Sequence, residues 1–412
     1  MTKRHYLSFL SAAFLIMATY ISGNAVGFFI KPITAELGFT RSAFSIYLSL
    51  STLTGVFVLP FIGQFLPKFG AKKLLIVGGT WVSLGFVWLA FATQLWQFYA
   101  GGIFLGLFMM PITMFLAILL INNWFESKKG LMMGLLNASG GLAGAVVAIY
   151  MPMFLDNFGW RNGYLLIAGL FALLTIPNAL FLLVEHPESI GLRAYGNNTV
   201  AYEDGLGSTP EQSISYTEAK KTKQFYILFA GIFLSAFGGG LMQHLPALFS
   251  GIGFTAGEVG TLFSLVMAGM IIANILVGAV NDKIDSTITI LVVSACMIVS
   301  LFLLATTSSF LSLAILMFVL AFGIGGPSVL TPLVVNEVFG PRDYFRIWSI
   351  LGMAPSIGMS ISGPLWGAVY DVTGSYQLGM YAMISLTVIY GACYIFALKS
   401  GPLKKNREES GM

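Results

Sequence analysis

LLIVGGTWVSLGFVWLAFATQLWQFYAGGIFLGLFMMPITMFLAILLINNWF, residues 74–125, runs for more than fifty positions without an Asp, Glu, Lys or Arg. A helix needs about 20 apolar residues to cross the hydrocarbon of a bilayer, so this stretch holds two crossings, hinged at the polar pair Thr93-Gln94. Residues 286–336 repeat the pattern, with a hinge from Thr306 to Ser309. Eight further charge-free stretches of 23 or more residues lie between Arg4 and Lys399, each long enough for one crossing. The spacing predicts twelve spans, at about 6–29, 42–66, 73–92, 96–121, 130–154, 162–184, 224–249, 257–280, 287–306, 310–335, 346–370 and 376–398. The fold class that follows is an all-α membrane protein. Composition agrees, because 57% hydrophobic and 9% charged residues cannot cover a soluble surface, where about a quarter charged is usual.

Twelve spans put both termini on one side. If that side is the cytoplasm, the outer loops hold only Lys31, Arg41 and Arg161, and the other 18 of the 21 basic residues fall on inner segments. This is the asymmetry that the positive-inside rule requires, and adding or removing one span would scramble it. The expected location is therefore the inner (plasma) membrane, multi-pass, with both termini cytoplasmic. The net charge of +4 reports topology and not a nucleic-acid partner; the lipid bilayer is the partner it implies. The apolar segment after Lys3-Arg4 is too long for a cleaved signal peptide and reads as the first span. Cys296 and Cys393 both fall inside spans, which offers no extracellular disulfide or metal pattern.

The chain repeats itself. At an offset of 215, Leu37–Lys68 aligns without a gap on Ile252–Lys283, matching Gly38-Phe39-Thr40 to Gly253-Phe254-Thr255, Gly63 to Gly278 and Lys68 to Lys283. The same offset brings Asp156-Asn-Phe-Gly159 onto Asp371-Val-Thr-Gly374. Two pseudo-symmetric six-helix halves, 1–184 and 224–412, are therefore expected in parallel, joined by a polar segment, 185–223, that reads as a flexible cytoplasmic linker.

Parallel six-span halves with an inner linker resemble the architecture of the major facilitator transporters, whose solute site lies near the midplane between the halves. Gly63-Gln-Phe-Leu-Pro67-Lys68-Phe-Gly70-Ala-Lys72-Lys73 resembles that superfamily's signature loop, except that Pro67 replaces its Asp. The second-half copy, Gly278-Ala-Val-Asn-Asp282-Lys283, keeps the Asp. The resemblance implies that Lys68, Asp282 and Lys283 bias a cytoplasmic gate, with the first-half interlock weakened. Gly38-Phe-Thr-Arg41-Ser, Trp124-Phe125-Glu-Ser-Lys128-Lys129-Gly130 and Pro187-Glu-Ser-Ile-Gly191-Leu192, together with Gln243-His244-Leu245-Pro246, are similar to the branch of monocarboxylate porters and oxalate–formate exchangers. In that branch span eight presents an Arg to the substrate carboxylate four residues before the loop glycine. Here that position is Asn274, so the resemblance disfavours a small dianion and leaves a monocarboxylate taken up with its proton, or a neutral polar solute.

Ionisable groups within a bilayer mark proton or substrate paths, and His244 is the one such side chain, thiols and Tyr aside, well inside a span. An imidazole with a pKa of about 6.5 gains and loses a proton near physiological pH, which suits proton coupling; the bland reading is a hydrogen-bonded histidine near a helix end. Asn24, Asn137 and Asn274 sit near mid-depth, where an amide must find a partner in solute or in another helix. With Gln243 they complete the expected substrate-binding set. Gly130/Gly134 and Gly140/Gly144 place small residues one turn apart, which lets helices approach closely. Arg41 and Arg161 are expected as salt-bridging anchors near Glu36 and Asp156. Trp366, Phe237 and Phe28-Phe29 are interface or packing aromatics, or else line a greasy cavity.

No phosphate-binding glycine loop, paired carboxylate, Ser-His pair or metal cluster falls in the spans, so neither ATP, a metal, a cofactor nor an enzymatic reaction is implied. The expected function is secondary active transport of a small organic solute by alternating access, as a monomer in proton symport. The alternatives are proton-driven efflux of amphipathic compounds, against which span five lacks the Gly-Pro and Gly-Gly ending of superfamily exporters, and a non-transporting receptor, for which only about 14 residues follow the last span.

Overall fold

The computed structural model describes residues 2–127, 129–196, 214–281, 283–307, 309–340 and 342–403. All regular structure among them is helical, and β-type pairing is confined to one isolated parallel bridge between Phe125 and Tyr195. Each expected span has its helix. Span one is α1 (Lys3–Leu37). Spans two and three are one helical run, α2 (Arg41–Ala90), broken where Gly70 takes φ 76° and ψ 152°. Span four is assembled from α3 (Leu95–Gly106), a π-helical turn at Pro111–Phe115 and α4 (Leu116–Trp124). Spans five and six are α5 (Lys129–Pro177), broken at Gly159 and finished by a π-helical turn at Asn178–Leu182.

A short α6 (Tyr216–Ala219) precedes span seven, which is α7 (Lys223–Ser235) followed by α8 (Phe237–Gly251). The rest are α9 (Ala256–Asn281), α10 (Ser286–Leu304), α11 (Phe310–Phe339), the pair α12 (Tyr344–Leu351) and α13 (Ala354–Thr373), and α14 (Gln377–Lys399). By length and hydropathy alone, nine helical segments of the described residues can cross a bilayer. Twelve are reached because the segment Leu131–Leu182 holds two spans and because residues 41–67 and the Ser- and Gly-bearing α13 add one each. Large apolar side chains face outward all along these helices, with Phe57 at 70% and Phe181 at 78% exposure. Water would penalise such a surface, and lipid does not.

The sequence repeat is a repeat of local geometry. Gly38 and Gly253 both have positive φ (71° and 102°), and the threonine two residues on caps the next helix in each case, Thr40 accepting from the Ala43 amide and Thr255 from the Glu258 amide. Gly159 and Gly374 likewise share positive φ (77° and 68°). Only glycine enters this region without a Cβ clash, which is why these positions survive in both copies.

The chain clusters into two compact units. The first comprises Met1–Val200 with Gln243–Met267, and the second Ala201–Met242 with Ala268–Met412. Spans seven and eight are thus shared, a division that the expected boundaries 1–184 and 224–412 did not contain. Its physical cause lies in the close packing of α1 and α5 on the first half of α9 and the last two turns of α8, described below. Within the first unit, Ser11 and Asn178 exchange two buried hydrogen bonds, 2.6 Å from the Ser11 hydroxyl to Asn178 Oδ1 and 2.9 Å from Asn178 Nδ2 to the Ser11 carbonyl. Polar pairs of this kind contribute about 1 kcal/mol each in a membrane, where apolar burial no longer drives helix association. Within the second, Trp366 is buried and its indole N–H donates to the Phe237 carbonyl at 3.0 Å, so this pair is packing and not a cavity wall.

The stretch read as a linker begins with packed residues. Asn123 Nδ2 donates to the Glu185 carbonyl, Trp124 Nε1 to the Val184 carbonyl and the Tyr195 amide to the Trp124 carbonyl, and Pro187–Ile190 forms a 3-10 turn. The buried ring of His5 stands edge-on to Trp124, Phe125 and Tyr195 and holds the Arg193 carbonyl at 3.2 Å. Residues 197–213, the middle of that stretch, lie outside the described residues.

Candidate functional site

Four helices of the first unit meet through small residues. A Cβ on Gly140 of α5 would fall 2.6 Å from Ile16 and 2.7 Å from the Tyr20 ring of α1. One turn on, a Cβ on Gly144 would fall 2.5 Å from Asn24 Nδ2 and 3.3 Å from Met267 Sδ. Gly27 of α1 sits on the Gln243 carbonyl, where a Cβ would come within 2.7 Å, and Gly260 of α9 sits on the Ala148 carbonyl, where the distance is 2.6 Å. Pro152 lacks the N–H that would otherwise bond the Ala148 carbonyl inside α5, so that oxygen is free to meet a neighbouring backbone. Gly140/Gly144 is therefore a packing stripe, as its spacing suggests. Gly134 is not: nothing lies within 4 Å of its Cβ direction, so the stripe begins only at Gly140.

The expected polar residues fall on this junction in part. Asn24 is half-buried and its amide N–H reaches Met267 Sδ at 3.4 Å, a weak thioether bond that leaves the side-chain carbonyl available. Gln243 is half-buried, and its backbone lies against Gly27, one turn from Asn24. Asn137 is exposed, and seven residues, about two turns, separate it from Gly144 on α5. His244 is fully buried. The junction brings Asn24 to Met267, a residue the sequence reading did not single out, and the Gln243 backbone to Gly27 one turn away.

Asn274 belongs to the second unit. It follows Met267 by seven residues on α9, hence on the same helix face about 10 Å further along. Its Oδ1 is buried without a hydrogen-bond partner among the described residues, and it packs toward Gly325 of α11, where a Cβ would come to 3.2 Å. An orphaned amide oxygen inside a helix bundle costs about 1–3 kcal/mol until a donor arrives. A solute hydroxyl or ammonium is such a donor, whereas a carboxylate is not. Asn281, a further seven residues on, repeats the orphan.

Of the three gate residues, Lys68 and Lys283 are exposed, and Asp282 lies outside the described residues. What anchors the first signature loop is Glu185: its Oε2 accepts the Ala71 amide at 3.0 Å, just past the Gly70 break. A carboxylate at the start of a helix satisfies an orphan N–H and meets the positive end of the helix dipole. The equivalent repeat position, Ser286, donates its hydroxyl to Glu337 at 2.7 Å. Sequence reading placed Glu185 in the linker; only its position directly after span six, facing the basic loop, hinted at this contact.

At the other end of α1, Glu36 bonds Arg161 and receives the Trp160 indole N–H at 2.7 Å, while the guanidinium stacks over the Trp160 ring at 4.2 Å. The Arg161 hydrogen bond first, and Trp160 second, hold the Glu36 carboxyl below its usual range. Arg161 is thus the expected anchor, with Glu36 as its partner. Asp156 is exposed and forms no ion pair among the described residues.

A protein-family model of the Major Facilitator Superfamily matches residues 12–256 and 228–411. The chain belongs to the Major Facilitator Superfamily, and it is a multi-pass membrane protein that transports a small-molecule solute. It is similar to mouse monocarboxylate transporter 14, 21% identical over 416 residues covering 84% of this chain and 79% of that protein. It is also similar to the MFS-type transporter YcxA of Bacillus subtilis, 23% identical and covering 86% of each. Among solved structures, the nucleoside transporter NupG superposes with a TM-score of 0.76 at 13% identity, covering 95% of this chain and 99% of that one. A bacterial homologue of the human lysosomal transporter Spinster, inward-facing and occupied, reaches a TM-score of 0.75 over 98% of both chains, also at 13% identity. At these identities the structures share the fold.

Proposed function

We propose that the chain is a proton symporter for a small organic solute, either a monocarboxylate or a neutral polar molecule, working as a monomer in the inner (plasma) membrane with both termini cytoplasmic. Halves 1–184 and 224–412, joined by 185–223, alternate access to a site contacted by Asn24, Asn137, Gln243, His244 and Asn274, and Lys68, Asp282 and Lys283 bias the cytoplasmic gate. The observation that carries this reading is the chemistry of the central residues: amides and one buried imidazole, with no Arg or Lys at the Asn274 position to hold a bare carboxylate. A carboxylate that enters with a proton, or a solute without net charge, needs no such clamp. The similarity to monocarboxylate transporters supports the first of these classes. Coupling follows because solute and proton each change the balance between inward-open and outward-open states.

Uptake into proteoliposomes of a panel of monocarboxylates, neutral polar solutes and cationic dyes tests the reading. Inward acid is expected to raise uptake of a member of the first two classes several-fold. Stimulation of none, or outward dye pumping alone, contradicts symport.

A further inference from the structure

A cavity of about 330 Å³ opens at the ends of α1, α5, α8 and α9, wholly within the first unit and one to two turns beyond the Asn24–Met267 contact. These are the outer ends under the topology proposed above. The volume is at the small end of those that bind organic ligands, roughly 300–1,000 Å³. Its floor is apolar: Phe28, Leu155 and Val259 are all buried. The two hydroxyls on its wall are already engaged, that of Ser250 with the Pro246 carbonyl at 2.9 Å and that of Thr255 with Glu258 at 2.8 Å. What remains for a ligand is a pair of opposite charges.

Those charges are Lys31 and Asp156, both exposed, both lining the cavity and not bridged to each other. Lys31 Nζ donates to the Ser250 carbonyl at 3.0 Å, a neutral acceptor that leaves the positive charge without a counter-ion among the described residues. Asp156 makes no hydrogen bond or ion pair among the described residues. Unlike charges held apart over an apolar floor select a molecule that carries both. A bare anion would gain at Lys31 and lose at Asp156, and a bare cation the reverse.

We propose that this cavity is an outer binding site for a small zwitterion with an apolar body, of the α-amino-acid class. Its carboxylate sits against Lys31, its ammonium against Asp156 and its side chain on Phe28, Leu155 and Val259. The inference rests on the reading of the chain as a solute importer and narrows the solute. Such a zwitterion is a monocarboxylate without net charge, the combination that a transport path lacking an Arg at the Asn274 position accepts. Its ammonium also supplies the donor that the buried Asn274 Oδ1 lacks.

The test is equilibrium binding of radiolabelled L-leucine to the purified full chain in detergent micelles, competed by two molecules with the same skeleton. These are 4-methylpentanoate, which lacks the ammonium, and 3-methylbutylamine, which lacks the carboxylate. Each is expected to compete about ten-fold less well than unlabelled L-leucine, the worth of one charge-assisted hydrogen bond. Lys31→Gln and Asp156→Asn should each weaken L-leucine binding about ten-fold with unchanged thermal unfolding, while Lys31→Arg and Asp156→Glu stay within about three-fold of wild type. Absence of saturable L-leucine binding overturns the proposal. So does binding that neither charge-removing variant alters, or 4-methylpentanoate binding as well as L-leucine. Failure here is distinct from failure of symport: acid-driven uptake of some solute without L-leucine binding removes this site alone, and Lys31- and Asp156-dependent binding without acid-driven uptake removes symport alone.

Discussion

His244 carries the sharpest residue-scale consequence. Its side chain is fully buried in the state described here, and the proposed proton coupling through it calls for a second state in which water reaches α8. Replacement by Gln keeps a hydrogen-bonding side chain and removes the titration. His244→Gln should therefore lose pH-driven accumulation in proteoliposomes while retaining solute counterflow; accumulation at the wild-type level would return His244 to a purely structural role. The candidate residues were legible because a polar group among apolar ones stands out in a sequence. Their partners were not: that Asn24 meets a thioether, that Asn274 Oδ1 meets nothing and that Asp156 faces a cavity depend on helix rotation, which residue spacing leaves open. That Arg161 anchors a carboxylate was expected, but its choice of Glu36, 125 residues away, over nearby Asp156 was not legible, nor was the cap that Glu185 places on the Ala71 amide.

Between elements, the contacts are backbone to backbone, so a single methyl group matters. A Cβ on Gly27 would overlap the Gln243 carbonyl at 2.7 Å, and overpacking of this kind costs about 1–3 kcal/mol, enough to shift a two-state balance roughly 5- to 150-fold. Gly27→Val should push α1 and α8 apart at this level. In a background with Cys296 and Cys393 replaced by Ser, membrane-impermeant maleimide should then label Ser250→Cys at least about five-fold faster, and an unchanged rate would show that the contact does not hold α1 against α8.

At the end of α1 the same logic applies to charge. Glu36 titrates below its ordinary value of 4.5 because the folded state favours its ionised form. Its contribution is present above that ordinary value and lost as pH falls through the lower folded value. Acidification below about pH 4.5 should thus lower the melting temperature of wild type more than that of Glu36→Gln, by a small margin because the pair is solvent-screened. Equal slopes for the two proteins would mean that the Arg161 contact does not stabilise the fold. The helices themselves were legible from charge-free length, and the turns of the repeat from Gly38/Gly253 and Gly159/Gly374. The breaks inside spans were less so: the π-helical turns at Pro111–Phe115 and Asn178–Leu182 follow from proline and tertiary fit, not from hydropathy.

On the scale of the molecule, composition fixes a bilayer protein and the repeat fixes its pseudo-symmetry, and both are properties of the whole chain that survive local substitutions. The sharing of spans seven and eight between compact units was not legible, because it arises from three close approaches, at Gly27, Gly144 and Gly260, between residues far apart in sequence. All three approaches lie within the first unit, where they leave no room for a side chain between the helices. Proton coupling is the claim on which the account turns. It is tested most directly by proteoliposomes loaded with a pH-sensitive dye at equal pH on both sides, to which a transported solute is added outside. Symport predicts that solute entry acidifies the lumen in wild type and that a protonophore collapses the signal. Solute entry at a measurable rate with no change in lumenal pH, or with alkalinisation, would contradict it.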